Sequence, residues 1–176
     1  IILGKVSTTY DREGDIQEFR NKNEELRISV DQSMIEKELQ KFIGMIQQIP
    51  PMYSAKSIDG KRLYELAREG KEVERKPATV TIHSLDILEY DYPILKLRVV
   101  CSTGTYIRSL AHDLGQALGV GAYLSALERT AIGPYRLEQA VAISQITADN
   151  WTKMFIAKQA WLDSLNNQGL TPASVK

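Results

Sequence analysis

Cys101-Ser-Thr-Gly-Thr-Tyr-Ile-Arg108-Ser-Leu-Ala-His-Asp-Leu-Gly115 decides how this chain is read. Ahead of it, Leu95, Leu97, Val99 and Cys101 alternate with Lys96 and Arg98, the period of a half-buried strand. Gly104 supplies a tight turn. Beyond it Ile107, Leu110, Ala111, Leu114 and Leu118 share one helical face, and Gly119 is placed as the C-terminal cap. The strand–turn–helix corner carries Tyr106 and Arg108, where a fixed scaffold can hold side chains over a cleft. Arginine there is a preset cation with planar donors suited to a carboxylate or phosphate. A cation at a helix start opposes the helix dipole by roughly a few tenths of a kcal/mol. A nearby anion would explain the placement; a buried tyrosine beside a surface arginine is the equally open alternative. No carboxylate nucleophile stands out among the 176 residues for Arg108 to hold, so the site reads as lacking one half.

Upstream, the first residues suggest a short strand entering a turn at Asp11-Arg-Glu-Gly14, followed by a polar stretch from Glu18 to Arg27. A helix is expected over 32–43, with capping-box spacing at Ser29/Gln32 and Ser33/Glu36. Its buried face is expected to run Ile35, Leu39, Phe42, Ile43 and Ile46, with Gly44 as its stop. Pro50-Pro51 then breaks the chain, and the segment to Pro77 mixes many cations with Tyr53 and Tyr64. Arg62 to Glu69 suits a short helix ended by Gly70. This segment is open to two readings: a solvated surface helix with loops, or a flap that grips phosphates with cations and stacks bases on aromatics. Val80, Ile82, Leu85 and Ile87 change phase at His83-Ser84, the mark of a bulged strand. Tyr90-Asp-Tyr-Pro93 suits a hairpin connection. Downstream, strands are expected over Leu124–Leu127 and Ala131–Tyr135, and helix over Gln145–Leu165. The tail 167–176 is polar and expected to fray. Interspersed strands and helices with hairpins indicate an α+β fold: a mixed, largely antiparallel sheet with helices on one side.

Composition narrows the function classes. Twenty-two cations balance 22 anions, so bulk charge does not favour a polyanion partner, although a local basic patch can still bind one. One cysteine, Cys101, allows no disulfide within the chain and suits a reducing compartment. Two histidines and that cysteine are too few for a structural zinc site, so no metal is expected. No apolar run is long enough to span a bilayer, and Ile1-Ile-Leu-Gly4 is not a signal peptide. The abrupt apolar start, without methionine, reads as a trimmed or incomplete piece. Gly115, Gly119 and Gly121 follow a helix instead of opening one, so caps and turns explain them better than a nucleotide loop does. His112-Asp113 has no serine in a nucleophile-elbow context to serve. His83 fits a surface strand position and Cys101 a small buried apolar one.

The motifs together resemble the TruB-type pseudouridine synthases. Those motifs are Gly104-Thr-Tyr-Ile-Arg108, Asp113-Leu-Gly115 and Leu118-Gly-Val-Gly-Ala122. Leu3-Gly4 with Thr8, Asp11 and Gly14, Gln48-Ile-Pro-Pro-Met-Tyr-Ser-Ala55 and Gly60-Lys-Arg-Leu-Tyr-Glu-Leu-Ala-Arg-Glu-Gly70 add to them, as do Leu127, Arg129 and Gly133-Pro-Tyr135. The matches are ordered from Leu3 to about Ile146 and thin out beyond about 150. The resemblance implies an isomerase that converts the T-loop uridine of tRNA to pseudouridine after the base leaves the stack. A carboxylate nucleophile adds, the glycosidic bond breaks, the uracil rotates and rejoins through carbon, and neither metal nor organic cofactor is needed. Arg108 then matches the arginine that keeps the family's catalytic aspartate ionised and aimed. Tyr106 and Leu127 match residues lining the uracil pocket. Residues 51–77 match the thumb loop that closes on the RNA, with Tyr53, Lys56, Lys61, Arg62, Tyr64, Arg68 and, outside it, Arg129 as RNA contacts.

Departures from the family pattern shape the remaining expectations. The Gly-x-Leu-Asp-Pro motif that carries the family's aspartate is absent from the 176 residues, as is the tyrosine that stacks on the target base. The resemblance therefore implies a partial catalytic domain over 1–166, incomplete at its N-terminus and inactive alone. Its expected partners are the tRNA T-stem-loop and the missing N-terminal segment, in the cytoplasm. Without that segment, unpaired strand edges and an apolar face would promote association. Ser57 replaces the usual lysine after Tyr-Ser-Ala, and Leu127-Glu-Arg129 replaces Leu-Arg-Arg. The family's C-terminal RNA-binding module is not visible. Two other readings are a non-catalytic RNA-binding or RNA-folding module, and the sister branch that works with guide RNA.

Overall fold

A computed structural model describes residues 1–20, 30–58, 60–71 and 73–154. The chain forms two compact units, Ile1–Leu127 and Glu128–Lys176. In the first unit the elements are β1 (Ile2–Leu3), β2 (Lys5–Ser7), β3 (Ile16–Glu18), α1 (Gln32–Gln40), β4 (Gly44–Gln48), β5 (Ser57–Ile58) and β6 (Lys61–Arg62). Next come α2 (Leu63–Arg68), β7 (Ala78–Asp91), β8 (Ile94–Cys101), α3 (Ile107–Ala117) and β9 (Ala122–Tyr123). Five strands build the main sheet in the order β4-β7-β8-β1-β9. Every ladder between them is antiparallel; among the described residues the parallel component is confined to an isolated bridge between Asp11 and Leu124. The α+β reading holds, with a sheet less mixed than expected.

The sheet's long hairpin follows the sequence pattern closely. Val80 and Ile82 are buried, the register shifts between Ile82 and Ser84, and Leu85 resumes the buried face. His83 sits exposed at that bulge. A second shift between Ile87 and Glu89 brings Tyr90 back toward the core, where its hydroxyl donates to the Val30 carbonyl at 2.5 Å. Leu97, Val99 and Cys101 of β8 pack against the same core as the fully buried Leu95. The face is closed by Ile35 and Leu39 of α1 and by Leu110, Leu114 and Leu118 from α3 and its cap. Each such leucine or isoleucine stabilises the fold by about 1.5–3 kcal/mol through burial. Gly115 lets α3 touch β9: a Cβ there would lie 2.1 Å from the Ala122 nitrogen.

Several expected elements differ. α1 ends at Gln40, and Gly44 begins β4 instead of stopping a helix. Ile46 is therefore a strand residue paired with Val80, and Ile43 is partly exposed. Period alone misread this segment because a helix and a following strand both placed apolar residues inward. The helix cap is Asp31, whose carboxylate accepts from the Met34 amide at 2.9 Å and from the Ser33 hydroxyl at 2.7 Å. Ser33 is thus bound to the cap and is not itself the cap. The other proposed cap, Ser29, and most of the polar stretch through Arg27 lie outside the described residues.

The expected strand over Leu124–Leu127 is instead β9, two positions earlier, where Ala122 and Tyr123 pair with Leu3 and Ile2. Leu124 leaves that ladder by donating its amide to the Tyr10 carbonyl at 2.9 Å. In the second unit the segment expected as one strand over Ala131–Tyr135 is a hairpin, β10 (Ala131–Ile132) and β11 (Tyr135–Arg136), folded at Gly133-Pro134. Short 3₁₀ turns follow at Leu137–Gln139 and Ile143–Gln145, then α4 (Trp151–Met154). The helical expectation beyond 154 and the tail 167–176 fall outside the described residues.

Candidate functional site

The site is built on the corner between β8 and α3. Ser102 anchors its start: its amide donates to the Thr81 carbonyl at 2.8 Å and its hydroxyl accepts from the Thr81 amide at 2.9 Å. Thr105 Oγ1 donates back to the Ser102 carbonyl at 2.9 Å, and Gly104 takes φ +80°, a conformation that favours glycine. Tyr106 is the extended residue at the head of α3, and its side chain makes no capping bond. Its main chain is held by the Gln48 side-chain amide, which accepts from Tyr106 N at 2.8 Å and donates to Tyr106 O at 3.1 Å.

Arg108 stands in the first turn, partly buried. The sequence offered it no carboxylate; the structure supplies Asp11, whose Oδ2 accepts from Arg108 Nη1 at 2.7 Å. Nη2 donates to the Tyr53 carbonyl at 2.5 Å. A guanidinium has five N–H donors, so these two bonds leave capacity for another acceptor. Both oxygens of Asp11 are committed. Oδ1 accepts from Thr9 Oγ1 at 2.6 Å and from the Glu13 amide at 3.0 Å, while Oδ2 holds Arg108. Burial alone would raise the Asp11 pKa; the Thr9 hydroxyl, the Glu13 amide and Arg108 together outweigh it and hold the carboxyl below its ordinary value. A carboxylate so tied is suited to aiming an arginine, not to attacking a sugar.

Asp11 was missed because it lies 97 positions from Arg108 and reads locally as turn chemistry. Tyr10 adopts φ +66°, costly for a bulky residue at roughly 1–2 kcal/mol. Next to it Asp11 holds Arg108, while the Tyr10 ring stacks on His112, 3.9 Å between centroids and 12° between planes. His112 is one helical turn beyond Arg108, so two successive contacts fasten the Tyr10–Asp11 corner to α3. Burial lowers the His112 pKa and raises that of Asp113.

The cation-rich segment has structure of its own. β5 and β6 form a hairpin, and α2 buries Leu63 completely. The Arg62 amide donates to the Glu65 carboxylate at 3.1 Å, half of a capping box. Tyr64 is half-buried, with two guanidinium groups near its ring, Arg62 at 5.9 Å and Arg68 at 5.5 Å from its centre. Lys56, Lys61, Arg62 and Arg68 are exposed, and Tyr53 presents its ring to solvent while its carbonyl faces Arg108. Leu127 is 63% exposed at the end of the first unit, and Arg129 is exposed in the second. The structure thus joins Tyr53 to Arg108 by a direct bond, with Tyr106 two positions before Arg108, and clusters Arg62, Tyr64 and Arg68 beside them, the Tyr64 amide donating to the Ser54 carbonyl at 3.1 Å. Among the described residues no cluster of His, Cys, Asp or Glu could hold a metal, and no helix is long and apolar enough to cross a membrane.

Comparison with known proteins gives a consistent result. Residues 1–107 match the model of the TruB family pseudouridylate synthase N-terminal domain, and residues 108–165 match that of the tRNA pseudouridylate synthase B C-terminal domain. Family similarity therefore runs past 150, further than the motifs alone indicated. The chain is 46% identical over 144 residues to tRNA pseudouridine synthase B of Parabacteroides distasonis, covering 82% of this chain and 59% of that protein. It is 47% identical over 146 residues to the Burkholderia mallei protein of the same name, covering 83% and 46%. The chain spans about half the length of the curated relatives it matches. Among solved structures, a chain of a Cbf5–Nop10–Gar1 complex superposes with TM-score 0.55 at 30% identity, covering 77% of this chain and 37% of that one. A chain from an H/ACA RNP bound to a substrate RNA containing 2′-deoxyuridine gives 0.51 at 26% identity, covering 77% and 35%. With family models matching nearly its whole length, this chain belongs to the TruB family of pseudouridylate synthases.

Proposed function

We propose that this chain is the part of a tRNA pseudouridine synthase that holds the catalytic arginine and grips the RNA. The observation that carries the reading is Arg108, fixed at the β8–α3 corner by Asp11 and by the Tyr53 carbonyl with donors to spare. In the family mechanism those donors bind the nucleophilic aspartate, keep it ionised and point it at the flipped uridine. Tyr106 and Leu127 line the uracil pocket. Residues 51–77 act as the thumb, with Tyr53, Lys56, Lys61, Arg62, Tyr64 and Arg68 on the T-stem-loop and Arg129 as a further contact. Cations neutralise phosphates and Tyr64, with two arginines near its ring, stacks on a base. Residues 1–166 belong to one catalytic domain working in the cytoplasm, completed by the segment that carries the aspartate.

The guide-RNA branch is less favoured, because the relatives at 46–47% identity are named for tRNA while the Cbf5 and H/ACA neighbours share 26–30%. The test compares two proteins on a T-stem-loop transcript: the product of the native gene and the 176-residue chain alone. The expected outcome is pseudouridine formation by the first, and RNA binding without isomerisation by the second. Isomerisation by the 176 residues alone would overturn the assignment of the nucleophile to another segment.

A further inference from the structure

Gln48 has no assigned role, yet its surroundings single it out. It ends β4, with its backbone in register opposite Ala78, and it is 1% exposed. Its side chain crosses to the catalytic corner and pairs with a single residue, Tyr106, through both hydrogen-bonding groups: Oε1 to the amide at 2.8 Å, Nε2 to the carbonyl at 3.1 Å. The same carbonyl accepts the first bond of α3, from the Leu110 amide at 3.1 Å. Two further bonds continue the seam. Ser109 Oγ donates to the Ile49 carbonyl at 3.3 Å, and Arg108 Nη2 donates to the Tyr53 carbonyl. Residues 48, 49 and 53, the root of the thumb segment, therefore grip residues 106, 109 and 108 of the helix start.

Building on the reading of Arg108 given above, we propose that Gln48 is a positioning residue for the isomerisation: its amide fixes the main chain of Tyr106, and so the point from which Arg108 reaches its partner. A planar amide is the side chain that meets an N–H and a C=O of one residue at once. An apolar side chain of equal length leaves Tyr106 N–H buried without an acceptor, and an ionised carboxylate faces the Tyr106 carbonyl with no donor. A protonated carboxyl restores one donor and one acceptor.

The experiment uses the product of the native gene with Gln48→Met and Gln48→Glu, reading T-stem-loop affinity, single-turnover isomerisation against pH, and exchange of the Tyr106 amide with solvent. Gln48→Met is expected to isomerise at least tenfold more slowly at every pH while RNA affinity stays within twofold, with Tyr106 exchange at least tenfold faster. Gln48→Glu is expected to approach the wild-type rate at low pH and to lose it as its carboxyl ionises, a limb absent from the wild type. Wild-type rates in Gln48→Met, or rate losses in both variants with pH profiles parallel to the wild type, would overturn the proposal. A wild-type protein that binds RNA without modifying it would sink the enzymatic reading and Gln48's part in a reaction with it. In that event faster Tyr106 exchange in Gln48→Met would show that the functional reading failed and the clamp did not.

Discussion

Asp11 carries the argument at the scale of single residues. It converts a lone cation at a helix start, which the dipole disfavours, into half of a part-buried pair with both carboxylate oxygens satisfied. Its folded pKa lies below the unfolded value of about 3.9. Its contribution to stability is therefore complete above that pH and lost as pH falls through the lowered folded value. Asp11→Asn is expected to destabilise the chain by about 2 kcal/mol at neutral pH, the loss of a charge-assisted bond. Denaturation measured from pH 7 to pH 3 is expected to show that difference shrinking below about pH 4. A pH-independent difference would mean that Asp11 acts through packing alone. Arg108 was legible in the sequence because a motif and an odd electrostatic placement coincide on it. Its partner was not, because nothing in one sequence links positions 97 apart, and Tyr10 hides its left-handed conformation behind an ordinary residue type.

Elements with a clean period were readable, and those defined by tertiary pairing were not. β8, α3 and the bulge in β7 followed from alternation and helical spacing, because each buries one face against the common core. β4 did not, because its five residues continue the apolar spacing of α1 and only pairing with β7 makes them a strand. Gly115 belongs to this scale too. Read from sequence it is a helix-end glycine, but it is the point where α3 and β9 touch backbone to backbone. Gly115→Ala is expected to cost about 3 kcal/mol, the upper end of overpacking, since backbone atoms cannot yield as a side-chain tip can. Thermal unfolding checks this: a melting temperature equal to wild type would show that the two elements separate freely.

At the scale of the whole molecule, zero net charge concealed a local arrangement. Balanced composition weighed against a polyanion partner, yet the β5–β6 hairpin and α2 carry exposed Lys61, Arg62 and Arg68, the two arginines close to the Tyr64 ring. Patches, not totals, decide such contacts. The main sheet ends in β4 on one side and β9 on the other, and Met45 on β4 is 81% exposed. Three stretches far apart in sequence converge at one corner: the Asp11 turn, residues 48–53 and the start of α3 meet through direct hydrogen bonds.

That convergence makes Arg108 the centre of the account, and one measurement addresses it most directly. The product of the native gene, as wild type and as Arg108→Lys, is mixed in excess with a T-stem-loop transcript, and both bound RNA and pseudouridine are quantified in a single turnover. Lysine keeps the charge but loses the planar fork that spans Asp11 and the Tyr53 carbonyl and leaves donors for the proposed nucleophile. The account predicts RNA binding within about threefold of wild type and isomerisation reduced at least a hundredfold, about 2.7 kcal/mol of lost transition-state stabilisation. Arg108→Lys turning over at the wild-type rate would contradict it.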